Sequence, residues 1–180
     1  MNYDRVRHGL RGMLLNMLGQ RERALAAYRD SLAADPNHAE TLRTLQKAGI
    51  AATGAGPTLA DAREPAILSR EDGRRALVFS FGLSSSGIES RWAATGERPG
   101  VNLLPDLSAD SSEEVGRQVA RYKQAGDIVV ASIHWGGNWG YGIPGQVQRF
   151  ARELIDHCGV DVVHGHSSHH PKGIEVYKLR

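Results

Sequence analysis

The 180-residue sequence has little of what would assign it to a specialised class of protein. Its single cysteine, Cys158, excludes an internal disulfide framework. No run approaches the roughly 20 apolar residues of a membrane helix, and no apolar segment follows the basic residues near the N-terminus, as it would in a secretory signal. The net charge is only +2, which gives no general attraction for nucleic acid or anionic membranes. We therefore expect a soluble, cytoplasmic chain with neither a membrane segment nor a nucleic-acid partner.

What the sequence does contain changes in character near residue 50. Residues 1–48 show apolar residues at helical spacing, interrupted by glycine and proline, which predicts a helical hairpin. The small, aromatic and proline positions resemble those of one tetratricopeptide repeat; they are Gly12, Gly19, Ala24, Tyr28 and Pro36. A single repeat of this kind cannot bury its own apolar face. We therefore expect residues 1–48 to pack on the rest of the chain, to pair with another chain (a second copy or a protein partner), or to remain loosely ordered.

Residues 49–180 alternate between strand and helix signals, which predicts a separate domain with a sheet and covering helices. The predicted strands span residues 66–69, 75–81, 128–133, 160–163 and 173–177, and the predicted helices begin near residues 58, 111 and 146. The run from Ile128 to Ile133 is almost entirely apolar, as is typical of a strand buried on both faces. An amphipathic helix at 146–158 joins this strand to the next one. The two strands should therefore be parallel neighbours.

Six of the eight histidines fall between residues 134 and 170. His134 follows the strand at 128–133, and a second group follows the strand at 160–163; its members are His164, His166 and His169. Because parallel neighbours end at the same edge of a sheet, both groups should meet where open α/β sheets bind ligands. Imidazole is a common ligand of divalent transition metals, so this edge is a predicted metal site. The alternative is that the histidines only form hydrogen bonds within a glycine-rich loop.

Two further loops contain residues that could bind a substrate or act as a nucleophile. In the loop at 136–144, Asn138, Trp139 and Tyr141 could line a pocket for a phosphate or a glutamyl chain. The alternative is that the two aromatic side chains pack the loop onto the sheet edge. Three consecutive serines at 84–86 suggest a nucleophile, but neither a base nor a strand-to-helix turn accompanies them. We interpret these serines as solvated loop residues.

Several short elements resemble those of one bacterial protein family. Ser132-Ile-His134-Trp-Gly136 resembles its S-x-H-W-G element, and Gly165-His-Ser-Ser-His169 resembles its G-H-x-x-H element. Residues 173–177 resemble the strand that follows. Together with weaker matches from residue 41 onward, these elements are similar to the CapA-type family of poly-γ-glutamate capsule synthesis.

The resemblance implies the α-β-β-α sandwich of metal-dependent phosphatases. Residues 49–180 would form part of that sandwich behind the hairpin of residues 1–48, so the expected fold class is α/β (α+β). The implied cofactor is a divalent ion (zinc, manganese or iron), and its implied ligands are His134, His166 and His169. His164 is a further candidate ligand, because it follows the same strand end. Of these, His134 and His166 would be catalytic. The implied substrate is a phosphate ester or a compound related to poly-γ-glutamate.

The sequence departs from the family pattern in its carboxylates. The early aspartate of that pattern has no counterpart here. No Asp or Glu occurs between residues 128 and 150, and Glu175 is the only one in residues 164–180. A two-metal centre needs carboxylates to bridge the ions and neutralise their charge. The predicted site is therefore an incomplete or vestigial phosphoesterase-type site, and the alternative function is that of a non-catalytic adaptor acting through residues 1–48.

One apolar face of the predicted sheet lacks a cover, and this leads to a prediction about residues 1–48. The crossover helix can cover only one face of the predicted sheet, and monomers rarely expose contiguous apolar patches of more than several hundred Å². Deletion of residues 1–48 should therefore produce an aggregating or poorly folded chain, because an apolar face loses its cover. Size-exclusion chromatography and thermal unfolding of the truncated chain test this. A soluble monomer with a cooperative unfolding transition would contradict it.

Overall fold

The computed structural model describes residues 49–178 together with Arg23, Ala27, Thr44, Leu45 and Lys47. These five earlier residues are helical, and two of them, Ala27 and Leu45, are buried. The tetratricopeptide-like pattern and the packing of the predicted hairpin otherwise lie outside the described residues. Within the described part of the chain, no helix is long and apolar enough to cross a membrane.

Helices and strands alternate through residues 49–178. The strands are β1 (Ala55–Gly56), β2 (Ala66–Ser69), β3 (Arg75–Leu83), β4 (Gly100–Val101), β5 (Leu103–Leu104), β6 (Ile128–His134) and β7 (Val162–His166). The helices are α1 (Leu59–Ala62), α2 (Ala109–Ala120) and α3 (Gly145–His157). A five-stranded sheet has the order β2-β3-β6-β7 with β5 also pairing with β3, and β1 pairs with β4 in a second sheet. The expected mixture of helices and strands is confirmed.

Local turn and capping chemistry explains the first half of this order. Asp72 accepts a hydrogen bond from the backbone N–H of Arg74 in the turn between β2 and β3. Gly73 in the same turn has a φ of 80°, which glycine adopts without strain. Thr58 and Asp61 form a capping box at the start of α1, where each side chain accepts a hydrogen bond from the other's backbone N–H.

The start of α2 differs from its prediction. The predicted helix begins near residue 111, where Ser111 and Glu114 have the spacing of a capping box. In the structure α2 begins at Ala109 and its N-cap is Ser108. The backbone N–H of Ser111 donates to the Ser108 hydroxyl, and Asp106 accepts hydrogen bonds from both serines. Serines stand at both positions, and the upstream carboxylate favours the earlier one as the cap.

The central strands bury one face and leave the other partly open. Buried residues alternate with half-buried ones up to Phe81 in β3 and from Val129 onward in β6. The buried residues are Leu77, Phe79, Phe81, Gly82 and Leu83 in β3 and Val129, Ala131 and Ile133 in β6. Val78 and Val130, on the opposite face, are only half-buried. The prediction of a strand buried on both faces is therefore wrong for residues 128–133. An apolar run indicates a strand, but it does not show how many faces have a cover.

Helices α2 and α3 cover the buried face of the sheet. They contribute Val115 and Val119 from α2, and Phe150 and Leu154 from α3, to the same apolar cluster as the central strands. Cys158, just after α3, is also buried in this cluster. Tyr122 packs its ring edge-on against Phe79, with centroids 6.1 Å apart. The core therefore lies on the side of the sheet that faces the two helices.

The last three elements form the predicted strand, helix and parallel strand. Strands β6 and β7 pair in parallel and are joined by α3. Both extend further than expected, so that His134, His164 and His166 lie within the strands rather than after them. The predicted strand at 173–177 is wrong, because these residues form no strand. Side chains of this segment bind α3 instead, through an ion pair of Glu175 with Arg152 at 2.8 Å.

The ion pair of Arg75 and Asp127 connects the start of β3 to the turn before β6, and it leads to a second prediction. The side chain of Asp127 is 5% exposed and accepts hydrogen bonds from the Arg75 guanidinium and from the backbone N–H of Gln124. The Arg75 guanidinium lowers the pKa of Asp127 from 3.8 to about 2. We expect Asp127→Asn to lower the Tm by several degrees, because it leaves Arg75 without its charged partner.

The pH dependence of unfolding provides the control for this prediction. A lowered carboxylate pKa stabilises the fold above the unfolded value of 3.8, and this stabilisation is lost as the pH falls toward about 2. The Asn variant should therefore lose less stability than the wild type over this range. Glu89→Gln removes an exposed ion pair with Arg91 and should change the Tm little. Equal pH dependence of wild type and Asp127→Asn would contradict the assigned role.

Candidate functional site

The register of the parallel strands brings His134 and His166 together. They are the last residues of β6 and β7 and stand opposite each other as Cα partners. Their Nδ1 atoms lie 3.0 Å apart, and their ring centroids are 4.9 Å apart with the planes inclined by 44°. We call these two residues the imidazole pair. Their meeting follows from the parallel strand ends that the sequence predicts.

His164 lies beside the imidazole pair on the same face of β7. Its ring stacks on that of His166, with centroids 5.3 Å apart and planes inclined by 22°. Its Nδ1 lies 3.2 Å from the hydroxyl of Ser132, its register partner on β6. A serine and a histidine at this distance could act as nucleophile and base, but such a base needs a third group to orient it. Among the described residues no acidic side chain contacts His164, so Ser132 is better understood as the residue that orients this ring.

Both rings of the imidazole pair are mainly uncharged at neutral pH. Partial burial lowers the pKa of His134 below its ordinary value of 6.5. The pKa of His166 is lowered by partial burial and also by the neighbouring His134 and His164. In the neutral state one Nδ1 donates a hydrogen bond to the other. A neutral imidazole also retains the electron pair that a metal ion requires.

The loops after β6 and β7 are joined by a short series of contacts. The hydroxyl of Ser167 donates a hydrogen bond to the carbonyl of Gly136 (2.8 Å), and the backbone N–H of His169 donates one to the carbonyl of Asn138 (3.1 Å). Nε2 of His170 lies 3.2 Å from the carbonyl oxygen of Gly140. Gly136 and Gly140 both have positive φ values, which glycine supplies at no steric cost. The two loops therefore form a single structural unit next to the imidazole pair.

The predicted substrate-binding residues lie on the outside of this unit. Trp139 is 74% exposed and Tyr141 is 78% exposed. Tyr141 contacts the ring of His170 edge-on at 4.6 Å, and Trp139 contacts that of His169 at 5.3 Å. The aromatic side chains thus do not pack the loop onto the sheet edge, which was the alternative interpretation. Asn138 is also exposed, and the role of these three residues in binding a substrate stays a prediction.

His169 is the member of the predicted ligand set that contacts the loop instead of the pair. Its ring lies against Trp139, and its backbone N–H bonds to Asn138. Within the described part of the chain, no group of three or more His, Cys, Asp or Glu side chains is arranged to hold a metal ion. The predicted four-histidine set is therefore represented by the imidazole pair, with His164 beside it.

The imidazole pair nevertheless has the spacing of two ligands of one ion. Nitrogen ligands about 2.0–2.1 Å from a tetrahedral zinc ion lie roughly 3.3–3.4 Å from each other, so the two Nδ1 atoms, 3.0 Å apart, need to separate by only a few tenths of an ångström to bind one ion. Neutral imidazole nitrogens suit zinc or iron, whereas manganese prefers oxygen ligands. The one carboxylate of residues 164–180, Glu175, is paired with Arg152. The donor set thus fits a single ion and lacks the bridging groups of a two-metal centre.

Sequence reasoning misses the contribution of Trp135 and Gly165. A Cβ atom at position 165 would lie 2.5 Å from Nε1 of Trp135, so the indole requires a glycine there. Trp135 also packs edge-on against Phe150 of α3, with centroids 6.2 Å apart. Trp135 also lines a pocket of about 450 Å³, together with Val147, Val163 and His166. The S-x-H-W-G and G-H-x-x-H elements contain Trp135 and Gly165, but neither element indicates that the two residues contact each other.

Comparison with known proteins identifies relatives of this chain. The family described as bacterial capsule synthesis protein PGA_cap matches residues 36–180. The chain is 47% identical over 141 residues to a probable polyglutamine synthesis accessory protein of Mycobacterium tuberculosis. It is 30% identical over 139 residues to the PGA biosynthesis protein CapA of Bacillus subtilis.

These matches cover most of this chain but a smaller part of its relatives. Each includes 77% of this chain, against 37% of the mycobacterial protein and 34% of the Bacillus protein. The chain therefore spans little more than a third of the length of these relatives. The region that the family model matches, residues 36–180, includes the sheet and the imidazole pair.

Proposed function

This chain belongs to the family of bacterial capsule synthesis proteins named PGA_cap, and we propose that it contributes to poly-γ-glutamate synthesis through a metal-dependent site at the imidazole pair. The proposal rests mainly on the 3.0 Å separation of the two Nδ1 atoms. It is supported by the names of the two relatives, which refer to polyglutamine synthesis and to PGA biosynthesis. The proposed substrate is a phosphate ester or a compound related to poly-γ-glutamate.

In this proposal His134 and His166 each present one neutral nitrogen to a zinc, manganese or iron ion. His164 stands beside them, and Ser132 orients its ring. When bound, the ion would polarise a phosphoryl oxygen as a Lewis acid. The imidazole pair would hold the ion, and the joined loops after β6 and β7 would orient the substrate.

The charge of the surroundings favours an anionic substrate. No Asp or Glu occurs between residues 128 and 150, so neither β6 nor the loop after it repels a phosphate or a carboxylate. Lys172 supplies a cation, and its Nζ lies 3.5 Å from the carbonyl of Gly142 in the other loop. Asn138, Trp139 and Tyr141 are exposed on the same unit and are proposed to contact the substrate.

A non-catalytic function is the second candidate. It is favoured by one observation, that no three metal-ligating side chains converge within the described part of the chain. In that case the imidazole pair would be a vestige of a metal site, and the chain would act as an adaptor through residues 1–48. Measurements of metal binding and of hydrolysis distinguish the two candidates.

The third prediction concerns metal affinity. Zinc or manganese titrated into the protein should bind with modest affinity, because two imidazoles hold an ion less well than a complete ligand set. His134→Ala and His166→Ala should each weaken the Kd at least about tenfold, which corresponds to roughly 1.4 kcal/mol. Isothermal titration calorimetry measures these changes, and His169→Ala shows whether that residue joins the site.

His157→Ala is the matched control for this titration. His157 is the last residue of α3, has a 68% exposed side chain, and lies 3.9 Å from Glu153. Its removal should leave the binding heat unchanged. Identical heats for the wild type and for His134→Ala/His166→Ala would remove the imidazole pair from consideration as a metal site.

The fourth prediction concerns catalysis. Hydrolysis of a generic aryl phosphate in the presence of manganese or zinc should be very weak or absent. The expected cause is that the early aspartate and the Asn-His ligands of the family pattern are missing, and not a defect in the histidines. Release of the phenol measures the rate. Robust, metal-dependent turnover that is abolished in His134→Ala would show that the histidines suffice without those ligands.

A further inference from the structure

The serine turn after β3 contacts the end of β6. Ser84–Ser86 form a 3-10 turn, which follows directly on the last residue of β3. The Ser86 hydroxyl lies 2.7 Å from the carbonyl oxygen of Leu83 and 2.9 Å from that of His134. The Ser85 hydroxyl accepts a hydrogen bond from the backbone N–H of Gly136 at 3.0 Å. The interpretation of these serines as merely solvated is therefore wrong for two of the three.

These contacts belong to a set that holds the backbone on both sides of Trp135. The backbone N–H of Trp135 donates to the carbonyl of His166 at 3.0 Å, and the hydroxyl of Ser167 donates to the carbonyl of Gly136 at 2.8 Å. Residues 134–136 are thus held by β7 from one side and by the serine turn from the other. This is the segment from which the ring of His134 projects.

We propose that Ser85 and Ser86 are positioning residues, which hold the backbone of residues 134–136 so that the Nδ1 atoms of His134 and His166 meet. Neither serine touches the rings, so each acts through the backbone. The consequence for metal affinity rests on the proposed function, whereas the effect on the imidazole pair does not.

The geometry of the imidazole pair makes it sensitive to small displacements. Its nitrogen–nitrogen distance of 3.0 Å lies in the range of a good hydrogen bond. A functional constellation of this kind tolerates displacements of only about 0.5 Å. Loss of the Ser86 contact would remove one hydrogen bond from the carbonyl of His134, and loss of the Ser85 contact would remove the hydrogen bond that the N–H of Gly136 donates to it. Both losses leave the strand pairing of β6 intact, since that pairing depends on residues 128–134.

The same reasoning separates positioning from general stabilisation. Ser85 is exposed and Ser86 is half-buried, so water can replace much of what their hydroxyls contribute. Substitutions away from buried features usually change stability little. A positioning role therefore predicts an altered imidazole pair in a protein that remains folded with nearly the wild-type Tm.

Side-chain ¹⁵N NMR of the histidines in the metal-free, full-length chain at pH 7.5 tests the proposal. In the wild type, one Nδ1 of the imidazole pair should carry the proton and the other should accept it. In Ser86→Ala, and more strongly in Ser85→Ala/Ser86→Ala, the ¹⁵N shifts should change toward those of the exposed His157. Ser84→Ala is the matched control, because no side-chain hydrogen bond of Ser84 is found among the described residues, and it should match the wild type. Ser86→Thr keeps the hydroxyl and should restore the wild-type shifts.

Metal titration provides the second measurement. The double alanine variant should bind zinc at least about tenfold more weakly than the wild type, and Ser86→Thr should not. Wild-type ¹⁵N shifts in the double variant, or the absence of a shared proton in the wild type, would overturn the proposal. If the double variant does not fold, the ¹⁵N shifts of the single variants Ser85→Ala and Ser86→Ala are measured instead, and wild-type shifts in both would overturn the proposal. A wild type with an intact imidazole pair but no metal affinity would overturn the proposed function and leave the positioning role standing.

Discussion

The parallel register of β6 between β3 and β7 is the constraint on which the candidate site depends. It places His134 opposite Gly82 on one side and opposite His166 on the other. Because side chains alternate between faces, a shift by one residue would turn His134 toward the core. The same shift would move Val129 and Ile133 out of the core, where both are fully buried. The apolar packing under α2 and α3 therefore determines where the imidazoles meet.

Part of this arrangement can be predicted from the sequence, because it follows from periodicity. Two apolar strands joined by an amphipathic helix indicate parallel neighbours, and parallel neighbours end at one edge. The contact of His134 with His166 follows from that rule. The position of His169 does not, because it depends on hydrogen bonds between two loops that have no periodic pattern. For the same reason the contacts of Ser85 and Ser86 with residues about 50 positions later leave no signal in the sequence.

Strand formation at the C-terminal end shows a second limit of sequence reasoning. Ile174 and Val176 alternate with polar residues, which is a typical strand pattern, yet they are 96% and 75% exposed. Strand preference depends on a neighbouring strand and a surface to pack on. Glu175 pairs with Arg152 of α3, and the hydroxyl of Tyr177 donates to Asp156, so these side chains hold the segment against the helix. At residues 173–177 the alternating pattern favours a strand, but the side-chain contacts with α3 hold the segment in an irregular conformation.

The scarcity of carboxylates has two opposite effects on the site. It removes the groups that would bridge two ions, and so weakens the case for efficient phosphate hydrolysis. It also permits the imidazole pair, because a carboxylate beside either ring would raise its pKa and favour the charged form. Two imidazolium rings cannot share a proton, and they would repel each other at the observed distance of 3.0 Å. A Cβ atom at Gly82, the register partner of His134, would lie 2.4 Å from the side chain of Ile88, so this side of the edge is lined by an apolar group. Partial burial at this edge therefore favours the neutral form of both rings, in which one Nδ1 of the imidazole pair can donate a hydrogen bond to the other.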